Sequence, residues 1–171
     1  ADAPQGFGNF LRRNLFDRVP FKTVNTIDST AADPEAECRR YADLLQEYPC
    51  DIVCMGIGEN GHIAFNDPHV ADFNDKKAVK VVELDETCRQ QQVNDGCFAR
   101  LSEVPTHALT LTIPTLVAPK AVFCIVPAKT KANAVKATLR GPVTEACPAS
   151  ILRRHANAAL YCDADSAALI L

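Results

Sequence analysis

The chain reads as an α/β protein, a three-layer α/β/α arrangement around a mostly parallel, Rossmann-like sheet. Three observations predict it. Short apolar runs alternate with segments of helical period. Those runs are nearly continuous in apolar residues, as expected of strands covered on both faces. One of them ends in closely set glycines, where parallel sheets bind small ligands at their carboxyl edge.

Taken in order, residues 8–19 carry helical spacing through Phe10, Leu11, Leu15 and Phe16. Residues 33–48 do so again, with Pro34 directly after Asp33 as a start signal, because proline has no N–H to lose in a first turn. Strands are predicted at 52–56, 79–84, 108–113, 122–126 and 158–162, and helices between them at 85–98, 130–140 and 148–155. Residues 71–77 are polar, follow neither period, and fit a loop beside a site or an ordinary solvated connection equally well. No repeat, low-complexity tract or long linker divides the 171 residues, so they are expected to form a single α/β domain.

Bulk properties narrow the function. A hydrophobic content of 47% supports one buried core, and a net charge of −3 offers no footprint for nucleic acid. No apolar stretch is long enough for a membrane helix, and no signal-peptide pattern opens the chain, so the expected location is cytoplasmic with no membrane partner. The eight cysteines are scattered without a Cys-x-x-Cys pair or histidines at ligand spacing, which disfavours zinc and points to reduced thiols.

The segment Gly56-Ile57-Gly58-Glu59-Asn60-Gly61-His62-Ile63-Ala64-Phe65-Asn66-Asp67-Pro68 is where chemistry is expected. Gly56, Gly58 and Gly61 match G-x-G-x-x-G, with Glu83 or Asp85 near the spacing of a ribose-binding acid. A dinucleotide site also needs a helix starting inside the loop, and Asn66-Asp67-Pro68 interrupts the run almost at once. The pattern therefore reads as a decoy, and neither nicotinamide nor flavin is expected.

Gly-x-Gly-x-Asn-Gly-His-Ile-Ala-Phe-Asn-Asp-Pro resembles the active-site signature of the glucosamine-6-phosphate deaminase/isomerase family. The related 6-phosphogluconolactonases share the Gly-His core but typically continue Ser-Leu-Phe-Pro. Weaker similarity runs through Val104-Pro105-Thr106-His107-Ala108-Leu109-Thr110 and the Lys131 region. The resemblance implies conversion of glucosamine 6-phosphate to fructose 6-phosphate and ammonia, with no redox cofactor and no catalytic metal. Alternatives are a galactosamine-6-phosphate isomerase, a 6-phosphogluconolactonase, or a sugar-phosphate sensor that has lost catalysis. The expected partner is a small sugar phosphate, with homo-oligomerisation left open.

Under this resemblance His62 is the proton shuttle that opens the sugar ring, since imidazole titrates in the useful range. Asp67 stands where the family usually has a glutamate working with the histidine. Asn60 departs from a frequent aspartate: an amide can orient His62 but cannot stabilise imidazolium by charge, and Glu59 is the neighbour that could supply it. Gly58 and Gly61 let the backbone approach substrate. Lys131, with Lys129 as fallback, is the implied phosphate lysine at the start of a helix. Arg89 is the nearest candidate for the phosphate arginine, although a register shift would put Val93, Asn94 or Asp95 there. His107 and His155 read as structural or surface residues. Family members are longer at the amino end, so the first strand–helix units, a phosphate-binding serine loop and the carboxylate that moves the C2 proton are expected upstream of Ala1. These residues alone are accordingly expected to turn over little substrate.

Overall fold

The computed structural model describes residues 6–171; the opening Ala1-Asp2-Ala3-Pro4 lies outside them. Helix α1 (Phe7–Leu11) runs directly into a π-helical stretch, Arg12–Phe16. Helix α2 (Pro34–Glu47) begins as its sequence dictates: Pro34 occupies the first turn, and the Asp33 side chain accepts a hydrogen bond from the Ala36 N–H. Such a cap contributes about 1 kcal/mol.

Strands β1 (Ile52–Met55), β4 (Ala121–Val126) and β5 (Ala158–Cys162) form a parallel sheet in the order β1-β4-β5. Val53 faces Val122, and Cys124 faces Leu160. Parallel neighbours bring the carboxyl ends of β1 and β4 to one edge. The glycine loop leaves β1 there, and a 3-10 turn (Lys129–Lys131) followed by helix α5 (Ala132–Arg140) leaves β4.

Three expectations need correcting. Strands β2 (Val79–Glu83) and β3 (His107–Leu111) do not join the parallel sheet but pair antiparallel with each other, Val81 opposite Leu109. Helix α3 (Glu86–Asn94), capped by Asp85, lies between them in the chain. A short helix α4 (Ile113–Val117) follows β3, so Ile113, read as a strand end, starts a helix instead. The segment 148–155 is also tighter than expected, a 3-10 helix over Pro148–Arg154.

The main core sits on one face of the parallel sheet. Val122, Cys124 and Val126 pack there with Val135 of α5, Ile113 and Leu116 of α4, and Ile63 of the glycine loop. Ile63 and Val135 are fully buried, each contributing about 1.5–3 kcal/mol. A smaller cluster, Val82, Leu84 and Cys88, seats α3 on the antiparallel pair. The segment 71–77 is tied both to the glycine loop and to the body of the fold: the Ala71 N–H donates to the Asp67 carbonyl at 2.9 Å, Phe73 packs on the main core, and Lys80 holds Asp75 at 2.8 Å. Among the described residues no helix is long and apolar enough to cross a membrane.

Candidate active site

Apolar β1 ends at Met55, and the glycine loop then closes on itself. The Gly58 N–H donates to the His62 carbonyl at 2.9 Å, and the Gly61 N–H donates to the Gly58 carbonyl at 3.0 Å. Two glycines make this closure possible. Gly61 has φ +86°, and a Cβ there would meet Cys147 Sγ at 2.7 Å. At Gly58 a Cβ would fall 2.1–2.4 Å from three atoms of the His62 ring. The imidazole therefore lies flat against bare backbone, a placement no other residue at 58 allows.

The rest of the loop is fastened to β3. Asn66 is fully buried, and its amide donates to the carbonyls of Ile63 at 3.0 Å and Leu111 at 2.8 Å. The Phe65 N–H donates to Thr110 Oγ1 at 3.1 Å. Ala64, just before Phe65, has φ +49°, a left-handed conformation uncommon outside glycine.

Three side chains converge inside this frame. Asn60 Oδ1 accepts from the His62 backbone N–H at 3.0 Å and lies 2.8 Å from His62 Nδ1, while Asn60 Nδ2 donates to Asp67 Oδ1 at 2.8 Å. Asp67 Oδ1 is also 3.1 Å from Nδ1. Both atoms facing Nδ1 are acceptors, so Nδ1 carries the proton and Nε2 keeps its lone pair. The amide orientation follows from the same logic, because turning it over would set two N–H donors against each other.

Asp67 is fully buried and His62 nearly so, its side chain 13% exposed. Burial alone pushes the Asp67 carboxyl upward. Hydrogen bonds from His62 and Asn60, the charge of His62 and the neighbouring Cys88 thiol more than offset it, holding the group below the usual carboxylate range. The negative charge that Asn60 cannot provide is thus in direct contact with the imidazole.

An open cavity of about 360 Å³ borders this group, lined by Gly56, Ile57, Gly58, His62, Ala64, Gln91 and Phe7. The structure brings together His62, Asn60, Asp67, Gly58 and Gly61. It does not bring Glu59, Arg89 or Lys131 to them. Glu59 is exposed, with no hydrogen bond or ion pair among the described residues. Arg89 spends its guanidinium on the carbonyls of Leu101 and Val104, at 2.8 and 3.0 Å, fastening α3 to the following turn. Lys131 ends the 3-10 turn at the same sheet edge as the glycine loop, away from the cavity wall. His155 is a structural residue: Nε2 meets the Pro119 carbonyl at 2.8 Å, and Nδ1 accepts from the Asn157 N–H. Exposed His107 pairs with the neighbouring Thr106 hydroxyl.

Two neighbours of the site were not anticipated. Gln91 projects from α3 onto the cavity. Cys88, one turn earlier, lies beside Asp67; only the three-dimensional packing of α3 reveals it.

A parallel sheet with a glycine loop at its carboxyl edge, and a histidine clamped there by an amide and a buried acid, define an α/β fold with a candidate site at the sheet edge. The chain belongs to the family of glucosamine-6-phosphate isomerases and 6-phosphogluconolactonases, whose pattern matches residues 1–161. Glucosamine-6-phosphate deaminases of Bacillus thuringiensis (strain Al Hakam) and Bacillus cereus (strain AH820) are each 40% identical over 160 residues, 94% of this chain and 59% of theirs. The chain thus spans somewhat less than two thirds of the length of these relatives. A solved monomeric glucosamine-6-phosphate deaminase of the NagB superfamily superposes with a TM-score of 0.90 at 34% identity, covering 98% of this chain and 69% of that one. The 6-phosphogluconolactonase of Trypanosoma brucei shares the fold at 20% identity, with a TM-score of 0.74 over 95% of this chain and 67% of its own.

Proposed function

We propose that this chain carries the ring-opening histidine and part of the phosphate site of an enzyme converting glucosamine 6-phosphate to fructose 6-phosphate and ammonia. The observation that carries the reading is the clamped imidazole, Nδ1 held by Asn60 and Asp67 with Nε2 left without a protein partner among the described residues. Nε2 takes the proton of the anomeric hydroxyl as the C1–O5 bond breaks, and returns it to O5. Asp67 stabilises the transient imidazolium at 3.1 Å. In the open chain a proton then moves from C2 to C1 and another from the nitrogen to O1, so that the C1 aldehyde becomes a hydroxymethyl group and the C2 amine an imine; water adds at C2 and ammonia leaves. No carboxylate among the described residues lines the cavity.

Lys131 remains our choice for the phosphate. It precedes α5 at the edge shared with the glycine loop, where a cation and free amide donors meet. The Phe65-Asn66-Asp67-Pro68 ending favours an amino sugar over a lactone. A cytoplasmic setting agrees with cysteines that are all free.

The test is His62→Ala in the complete gene product, following ammonia release. A fall in kcat of about 10²–10⁴-fold with little change in binding is expected, and a kcat within threefold of the parent removes His62 from the reaction. Galactosamine 6-phosphate and 6-phosphogluconolactone assayed alongside separate the sister activities: faster turnover of either one reassigns the substrate.

A further inference from the structure

Cys88 is the third residue of α3, where its backbone N–H is held by the Asp85 cap at 2.6 Å. Its side chain, 2% exposed, faces the active site. The sulfur, a carboxylate oxygen of Asp67 and a ring nitrogen of His62 all lie within 4.8 Å of one another. Asp67 has no exposed surface, and its two oxygens are unequally served. Oδ1 accepts from Asn60 and contacts His62, whereas Oδ2 has no hydrogen-bond partner that meets ordinary distance and angle limits. A buried carboxylate oxygen left in that state is costly. The thiol beside it has a rotatable S–H. Burial, with the Asp67 charge, pushes the Cys88 thiol up to about 12, so it keeps its proton across the neutral range.

We propose that Cys88 is a positioning residue of the His62–Asp67 pair: its S–H donates to Asp67 Oδ2 and fixes the rotation of the carboxylate, so that Oδ1 stays on His62 Nδ1. The donor is suited to the task. A thiol is a weak donor, so it orients the carboxylate while leaving most of the negative charge facing the imidazole. The same trio offers nitrogen, oxygen and sulfur of metal-ligand type. However, Nδ1 donates toward Asn60 Oδ1 at 2.8 Å and Asp67 Oδ1 at 3.1 Å, and a protonated ring nitrogen has no lone pair to give an ion while that arrangement holds.

The nearness of the Cys88 sulfur to the Asp67 carboxylate stands on the geometry; its effect on turnover rests on the reading of His62 as ring-opening base. The alternative role for a buried cysteine is that of a small hydrophobe, and it predicts the opposite ranking of substitutions. A packing role tolerates Cys88→Ala and resists Cys88→Ser; a donor role does the reverse.

Three measurements on the complete chain test the proposal. The infrared difference between parent and Cys88→Ser isolates the Cys88 S–H stretch, expected below the frequency of a free thiol. Nitrogen-15 spectra of His62 are expected to report one Nδ1-protonated tautomer in the parent and in Cys88→Ser, and a mixture in Cys88→Ala. In the complete gene product kcat is expected to fall about tenfold in Cys88→Ala, the scale of one lost hydrogen bond, with KM within twofold, and to be largely kept in Cys88→Ser. An S–H stretch at the free-thiol position, or an unchanged His62 tautomer in Cys88→Ala, overturns the role. Should Cys88→Ala fail to fold, the infrared band of the parent and the serine variant still decide. Absence of deaminase activity in the parent would refute the proposed function while leaving the spectroscopic results to judge Cys88.

Discussion

His62 is held by what its neighbours lack as much as by what they offer. The missing Cβ at Gly58 leaves room for its ring, and Gly58→Ala is expected to displace the imidazole from Asn60 and Asp67. Loss of kcat should approach that of His62→Ala, about 10²-fold or more, while circular dichroism stays native; a variant with near-parental kcat would show that the ring need not lie against residue 58. Asn60 carries a second expectation. Asn60→Asp sets a carboxylate oxygen in place of Nδ2, 2.8 Å from Asp67 Oδ1. The imidazole then sits between two carboxylates and keeps its proton to higher pH, so the acid limb of kcat/KM should move upward by about 1–3 units; a limb that stays put or moves down contradicts this. The sequence made His62, Asp67 and Asn60 legible because a long motif fixed their order in one loop. The direct contact of Asp67 with Nδ1 was not legible, since it depends on how the loop closes through Gly58 and Gly61. The tie between Arg89 and the turn after its helix was not legible either: Nη2 donates to the carbonyls of Leu101 and Val104, a contact that depends on how that turn folds back.

At the level of elements, β1, β4 and β5 were readable because their apolar runs are short and bounded by turn residues. The pairing of β2 with β3 was not, because Val79, Val81 and Val82 fit either neighbour and the choice is made by tertiary packing. Helix α4 was missed although Pro114 after Thr112 and Ile113 carried a start signal; the apolar run of β3 masked it. The turn between β4 and α5 holds a strained residue, Ala128, at φ 84° and ψ 147°, with its N–H donating to Asp163 Oδ2 at 3.0 Å. That region of backbone space is nearly restricted to glycine. Ala128→Gly is therefore expected to stabilise the chain, by about 1 kcal/mol, read as a higher midpoint in urea. A lower midpoint would mean that the flexibility glycine adds to the unfolded chain outweighs the relief of strain.

For the molecule as a whole, acid is the expected weakness. The carboxyls of Glu37, bonded to Arg40, of Asp67, and of Asp75, bonded to Lys80, all sit below their ordinary values. A carboxylate depressed in the folded state stabilises above its unfolded value, about 4. That stability is lost as pH falls through the folded value, where the unfolded chain binds more protons. Urea midpoints should fall steeply below about pH 4, and less steeply in Asp67→Asn; parallel curves would remove Asp67 from the account. The parallel sheet also shows an open side, with Ile52, Ile125 and Tyr161 at 57%, 50% and 53% exposure. Apolar faces of this kind promote association, and Ile125→Glu is expected to lower the sedimentation coefficient of concentrated samples. If association persists in Ile125→Glu, it runs through another surface. The two sheets differ further in the order in which they can be born. Asp51 and Lys120, joined across the β1–β4 edge at 2.8 Å, lie 69 residues apart in the chain, whereas Glu83 and His107, paired across β2 and β3, are separated by far fewer. Closing the longer loop carries the greater entropic toll, and distant pairings form late. Pulsed hydrogen exchange during refolding should find the amides of β2 and β3 protected before those of β1. The parallel sheet that presents His62 would then be the last part of the protein to come into being, and the histidine clamp would exist only once folding is done.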